Sequence, residues 1–85
     1  MSLGYGYALD DAGCEIFHQL PRRQRERLLG LFRQLADHPF TRGDYQESDA
    51  RGQHMEVLLF DEQFLITWHA DHAAKQVRIV GLEVV

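Results

Sequence analysis

The sequence predicts an α+β domain in the order β-α-α-β-β-β, with an antiparallel sheet and a helical hairpin packed on one of its faces. Three observations lead there. Leu28, Leu31, Phe32 and Leu35 recur at i, i+3, i+4 and i+7, the spacing of a helix with one buried face. From His54 to Val84 apolar and polar residues alternate in three successive stretches, the period of a strand. Pro21 and Pro39, the two prolines of the chain, stand where one helix gives way to the next and where the second must stop.

Element by element, Gly4–Leu9 sets Tyr5, Tyr7 and Leu9 against small residues and reads as the first strand. Asp10 and Asp11 can cap the helix that follows, whose Ala12, Ile16 and Leu20 share one face beside Phe17. Pro21 closes that helix and suits the first turn of a second, antiparallel one. The second helix should end near Asp37, because His38 precedes Pro39 and is pushed out of the helical region. Phe40–Gly52 carries Gly43, Asp44, Ser48, Asp49 and Gly52 and reads as a loop. Strands are expected over His54–Phe60, Gln63–Ala70 and Gln76–Val84, with a tight reversal at Asp61-Glu62 and a longer one at Asp71–Lys75.

A chain of 85 residues without repeats or linkers corresponds to one domain, residues 1–85, with a modest core. A net charge of −4 argues against broad, nonspecific nucleic-acid binding. No apolar run approaches the roughly 20 residues of a membrane span, and no signal-like stretch opens the chain. Its single cysteine, Cys14, has no internal partner, which favours a reducing, cytoplasmic setting. Lying among apolar residues, it reads as a small core or semi-buried side chain rather than a reactive thiol. Met1-Ser2-Leu3 reads as an expression-vector remnant and receives no functional role.

Alternation places Phe64, Ile66, Trp68 and Ala70 on one sheet face, and Leu65, Thr67 and His69 on the other. Centring the first reversal between Asp61 and Glu62 pairs Leu58 with Leu65, Glu56 with Thr67 and His54 with His69. Val57 and Leu59 then lie under the helices. In the second hairpin Trp68 falls opposite Ile79, Ile66 near Gly81, and His69 opposite Arg78; Glu83 then falls opposite core Phe64. The open face therefore carries His54, His69 and Arg78, with Glu56 and Thr67 adjacent. Leu58, Leu65, Val80 and Leu82 make the same face apolar enough to require a covering partner, another protein segment or a second copy of the chain.

Imidazole exchanges protons near neutral pH, so His54 and His69 are candidates for acid–base work. Arg78 and Arg51 are candidates for holding phosphate. His69-Ala70-Asp71-His72 also offers metal-type ligands, but a polar strand end is usually a solvated turn, so no metal or other cofactor is expected. Arg22, Arg23, Arg25 and Arg27 hold four of the nine basic residues within one helix start, where the helix dipole disfavours cations. They are candidates for binding a partner or nucleic acid, against the plainer reading of a solvated face with salt bridges to acidic residues.

The arginine-rich helix start, the stretch Leu35-Ala36-Asp37-His38-Pro39-Phe40, and the strands ending Val77-Arg78-Ile79-Val80-Gly81-Leu82-Glu83 together resemble the RelE/ParE family of toxins from type II toxin–antitoxin (plasmid stabilisation) systems. The resemblance spans nearly the whole chain. It implies a toxin that either cleaves ribosome-bound mRNA or inhibits DNA gyrase, and that is silenced by an antitoxin protein. RelE-like members typically carry an arginine early in the strand that here reads Phe64-Leu65-Ile66-Thr67. They also carry a late arginine and tyrosine beyond the point where this chain ends, Val85. These departures leave a gyrase-directed binder, a diverged toxin and a catalytically inactive interaction module as readings.

Overall fold

The computed structural model describes residues 4–85; the reading of Met1-Ser2-Leu3 lies outside them. Its elements are β1 (Gly6–Leu9), α1 (Asp11–Gln19), α2 (Arg22–Asp37), β2 (Tyr45–Ser48), β3 (His54–Phe60), β4 (Phe64–Asp71) and β5 (Gln76–Val84). The five strands form one sheet in the order β1-β5-β4-β3-β2. The α+β class and the element order hold, with two corrections. The sheet is mixed, because β1 lies parallel to β5 while the other pairings are antiparallel. A strand, β2, also lies inside the segment expected to be a loop. All four of its residues are exposed and only Tyr45 is apolar, so it has no alternation to reveal it. Asp49 closes the β2–β3 turn: its side chain accepts from Arg51 N and Gln53 N, and Gly52 supplies a φ of +80°.

Local chemistry sets the helix ends. The Asp10 side chain accepts from Gly13 N at 2.7 Å and caps α1. Leu20, before proline, takes ψ 150° and ends α1, and α2 begins straight after Pro21. His38, before Pro39, leaves the helical region and ends α2. On α1 it is Gly13 that is buried while Ala12 is exposed; Ile16, Phe17 and Leu20 pack against the core. That core joins Leu28, Leu31, Phe32 and Leu35 of α2 to Phe64, Ile66, Trp68, Val77, Ile79 and Leu82 of the sheet.

Two irregularities decide the strand registers. In the β3–β4 hairpin Asp61 and Glu62 both have φ 55°, and Gln63 N donates back to Phe60 O. Gln63 is thus an extra residue before the paired Phe60↔Phe64, and the register differs by one from the expected Leu58–Leu65 pairing. Leu58 and Phe60 therefore pack against the helix-covered core, while Val57 and Leu59 turn to the other face. In the β4–β5 hairpin His69↔Arg78 and Trp68↔Ile79 pair as expected, but the register shifts between Thr67 and Trp68. Ile66 then meets Leu82 rather than Gly81, and Glu83 pairs with Leu65 rather than Phe64. The shift resolves a conflict that no regular ladder could: Arg78 and Glu83 both stay off the core face, while Ile79 and Leu82 both stay on it.

The open face is still apolar, with different members. Leu82 is core and Leu58 packs against it, whereas Leu59 is 44% and Tyr45 49% exposed, beside half-buried Met55, Leu65 and Val80. These placements predict that Ile66→Ala and Leu82→Ala each cost about 2–5 kcal/mol. Leu59→Ala should cost under about 1 kcal/mol. Urea unfolding midpoints measure all three, and a core-sized loss at Leu59 would contradict the register.

Candidate functional site

Among the described residues Glu56 is the one charged residue in the interior, 7% exposed. Its position follows from the β3 register: paired with Trp68, it faces the helix side beyond the end of α2. A carboxylate there needs donors. Gly43 N donates to Oε1 at 2.8 Å and Gln46 Nε2 at 2.9 Å. His54 Nε2 meets Oε2 in a short contact, and the Arg42 guanidinium stands 3.5 Å from the same oxygen. Burial pushes the Glu56 carboxyl up, but the bonds from Gly43, Gln46 and His54 and the Arg42 charge outweigh it, and it is held below the ordinary carboxylate range. Gly43 is required for the close approach, since a Cβ there would collide with the Val57 backbone.

Around this carboxylate lies a cleft of about 330 Å³, walled by Pro39–Arg42 on one side and His54, Glu56, His69 and His72 on the other, with buried Trp68 among its lining residues. The β3–β4 ladder ends at Glu56↔Trp68, so His54 and His69 lie past its last paired residues. Both line this cleft and a second groove that includes Arg51, Met55 and Val80.

Of the candidate acid–base and phosphate residues, the structure therefore brings His54, His69 and Arg51 to neighbouring concave surfaces. The expected single row is corrected. The one-residue difference in the β3–β4 register puts His54 and Glu56 on the helix side, opposite to His69 and Arg78. Arg78 lines neither hollow and pairs with Asp71 at 3.4 Å. The bond from Ala74 N, ahead of the Arg78 charge, holds the Asp71 carboxyl low against its burial.

The four helix-start arginines divide by task. Arg25 Nη1 donates to Leu20 O at 3.0 Å and braces the inter-helix joint. Arg27 grips Asp61 with two bonds of 3.0 and 2.6 Å and lies 5.4 Å over the Phe60 ring, fastening the β3–β4 turn to α2. That bidentate bond raises the Arg27 guanidinium and lowers the Asp61 carboxyl. Arg22 pairs with Glu26 at 3.0 Å in solvent, and Arg23 is exposed. Arg23 and Arg27 line a groove on α2 with Gly30, Leu31 and Phe60.

Arg42 and Phe40 are cleft residues that the sequence did not single out. Glu56 was expected next to His54, since residues two apart on a strand share a face, but on the face away from the helices rather than toward them. Arg42 and Phe40 had no such signal, because the segment after α2 takes its path from Glu56. Chemically, an ionised Glu56 can only accept, so His54 Nε2 carries the hydrogen and Nδ1 is left as the acceptor of the neutral ring. That makes His54 an oriented proton acceptor beside a guanidinium. Among the described residues no group of three or more His, Cys, Asp or Glu side chains is arranged to hold a metal ion, and no helix is long and apolar enough to cross a membrane.

Comparison with protein-family models, curated proteins and solved structures finds no match for this chain.

A pH dependence follows from Glu56. Because its folded-state value is depressed, the stability it contributes is complete above about pH 4.5 and is lost as pH falls through the folded value. Glu56→Gln should lower the urea midpoint at pH 7 and flatten its decline toward pH 3. An unchanged acid decline would remove Glu56 as the cause.

Proposed function

We propose that this chain is the toxin-like component of a type II toxin–antitoxin pair, acting on translation by cleaving RNA in the cleft around His54 and Glu56, and silenced by an antitoxin protein. The observation that carries this reading is the oriented His54–Glu56 pair beside Arg42. In the proposed step His54 Nδ1 takes the proton of a ribose 2′-OH, and the freed oxygen attacks the adjacent phosphorus. The bond to the 5′ oxygen breaks, and His69 returns a proton to that leaving group. The products are a 2′,3′-cyclic phosphate and a 5′-hydroxyl. Arg42 stabilises the charge gathering on the phosphate oxygens. Arg51 borders the same histidines and suits the neighbouring phosphate. Arg78, held by Asp71, is outside the reacting set.

A second reading is supported by the open face. Leu59 and Tyr45, half-exposed beside Met55, Leu65 and Val80, suit a covering protein segment whether or not the cleft is catalytic. A noncatalytic interaction module with this fold, or a gyrase-directed binder, would use that face and leave the histidines idle.

Induced expression, read out by growth, translation and DNA supercoiling, separates these readings. On the proposed function the native chain arrests growth through translation. Purified protein then generates cyclic-phosphate ends on RNA, and His54→Ala lowers that rate by about 10²-fold or more. Arg78→Ala keeps it. Full growth arrest from both His54→Ala and His69→Ala would overturn the catalytic reading, and a change in supercoiling alone would favour the gyrase one.

A further inference from the structure

We infer that Phe40 and His72 form a stacking platform for a nucleobase of single-stranded RNA at the cleft; the inference rests on the RNA reading above and gives it a base subsite. The two rings stack with centroids 5.0 Å apart and planes 20° apart. Stacking occupies one face of Phe40, yet the residue remains 70% exposed, so its other face is open to a planar ligand.

The platform is held in place before any ligand arrives. Tyr5 Oη and His72 Nδ1 are 2.7 Å apart, and the Tyr5 ring meets the His72 ring edge to face at 5.7 Å. Phe40 follows buried Pro39, whose ring restricts the backbone. Thr41 closes the turn around it, with its N–H and its hydroxyl both donating to His38 O at 3.0 and 2.7 Å. A ring held on both flanks loses little freedom when a second ring stacks on it.

The surroundings select the ligand. Arg42 is two residues along the same wall, its side chain largely exposed, and His54 and His69 line the same hollow. A flat ring joined to an anion at short range matches that arrangement, and each residue of a single strand has this form. An aromatic peptide side chain would satisfy the ring but brings no phosphate to Arg42. Stacking tolerates any base and favours larger rings, so purines should be preferred.

The test uses a fluorescein-labelled 2′-O-methyl pentanucleotide of adenines, which cannot be cleaved because the 2′-OH proton is absent. In fluorescence anisotropy, Phe40→Ala should weaken its binding by roughly ten- to a hundredfold, while Phe40→Trp preserves it. Native protein should lose a similar factor when the bases are replaced by abasic residues, and Phe40→Ala should lose little more. Equal affinity of native and Phe40→Ala protein, or of intact and abasic strands, overturns the platform. An Asp-Phe-Asp-Phe-Asp peptide that binds more tightly than the RNA and depends on Phe40 overturns the nucleobase assignment. Phe40-independent binding together with His54-dependent cleavage of ordinary RNA defeats the platform alone. Phe40-dependent binding without any cleavage supports the platform and defeats the cleavage reading.

Discussion

A single carboxylate placed where water barely reaches organises one side of this domain. Glu56 sits on the helix-covered face of β3, past the end of α2, where an unpartnered charge would be strongly unfavourable. Gly43, Gln46, His54 and Arg42 satisfy it. Three of those four partners come from the segment after α2, so that segment must run beside β3. Its course starts the edge strand β2, builds one wall of the cleft and brings Arg42 to the histidines. One electrostatic requirement thus shapes both the sheet edge and the concave surface.

The apolar core works differently, through faces rather than single bonds. Helix α2 presents Leu28, Leu31, Phe32 and Leu35 to Ile66, Trp68, Ile79 and Leu82, and burial of these side chains sets the sheet's orientation under the helices. Strand alternation would then dictate everything else, except that each hairpin has one added residue: Val80 interrupts the β4–β5 ladder, and Gln63 lengthens the β3–β4 turn, whose ladder stays regular. The extra residue in β4–β5 keeps charged Arg78 and Glu83 off the core face. The extra residue in β3–β4, Gln63, sends Glu56 toward the helices and Leu59 away from them. The second shift has the functional consequence, since it carries His54 and Glu56 together from the face of Arg78 to the helix side.

Three of the nine basic residues in this chain are committed to holding the fold. Arg25 closes the inter-helix joint, Arg27 clamps a turn whose two central residues adopt positive φ, and Arg78 answers Asp71. A dense run of arginines in the sequence therefore does not become one dense basic surface. Arg42, isolated in sequence, stands in the cleft that the proposed chemistry uses. The proposed RNA chemistry draws on few cations held in a concave place, and is consistent with a chain whose net charge is negative.

Much of the architecture was legible in the sequence because it is local. Helix α2 follows from a 3.6-residue apolar period, its two ends from Pro21 and Pro39, the α1 cap from Asp10, and the three long strands from alternation. These signals survive without knowledge of neighbours, because each depends on residues within one turn or one strand. The parts that were not legible depend on contacts across the chain. Strand β2 lacks an apolar face and exists only because β3 offers it a hydrogen-bonded edge. The registers turn on single extra residues in the hairpins, whose placement is chosen by what the opposite face must bury. The cleft joins Phe40 and Arg42 to His54, Glu56 and His72, residues brought together only when Glu56 finds its donors. The sequence by itself determined which segments form helices and long strands, since backbone and side-chain preferences there are local. Only the tertiary structure decided which side chains share a face, because one residue of slip in a strand exchanges its two faces.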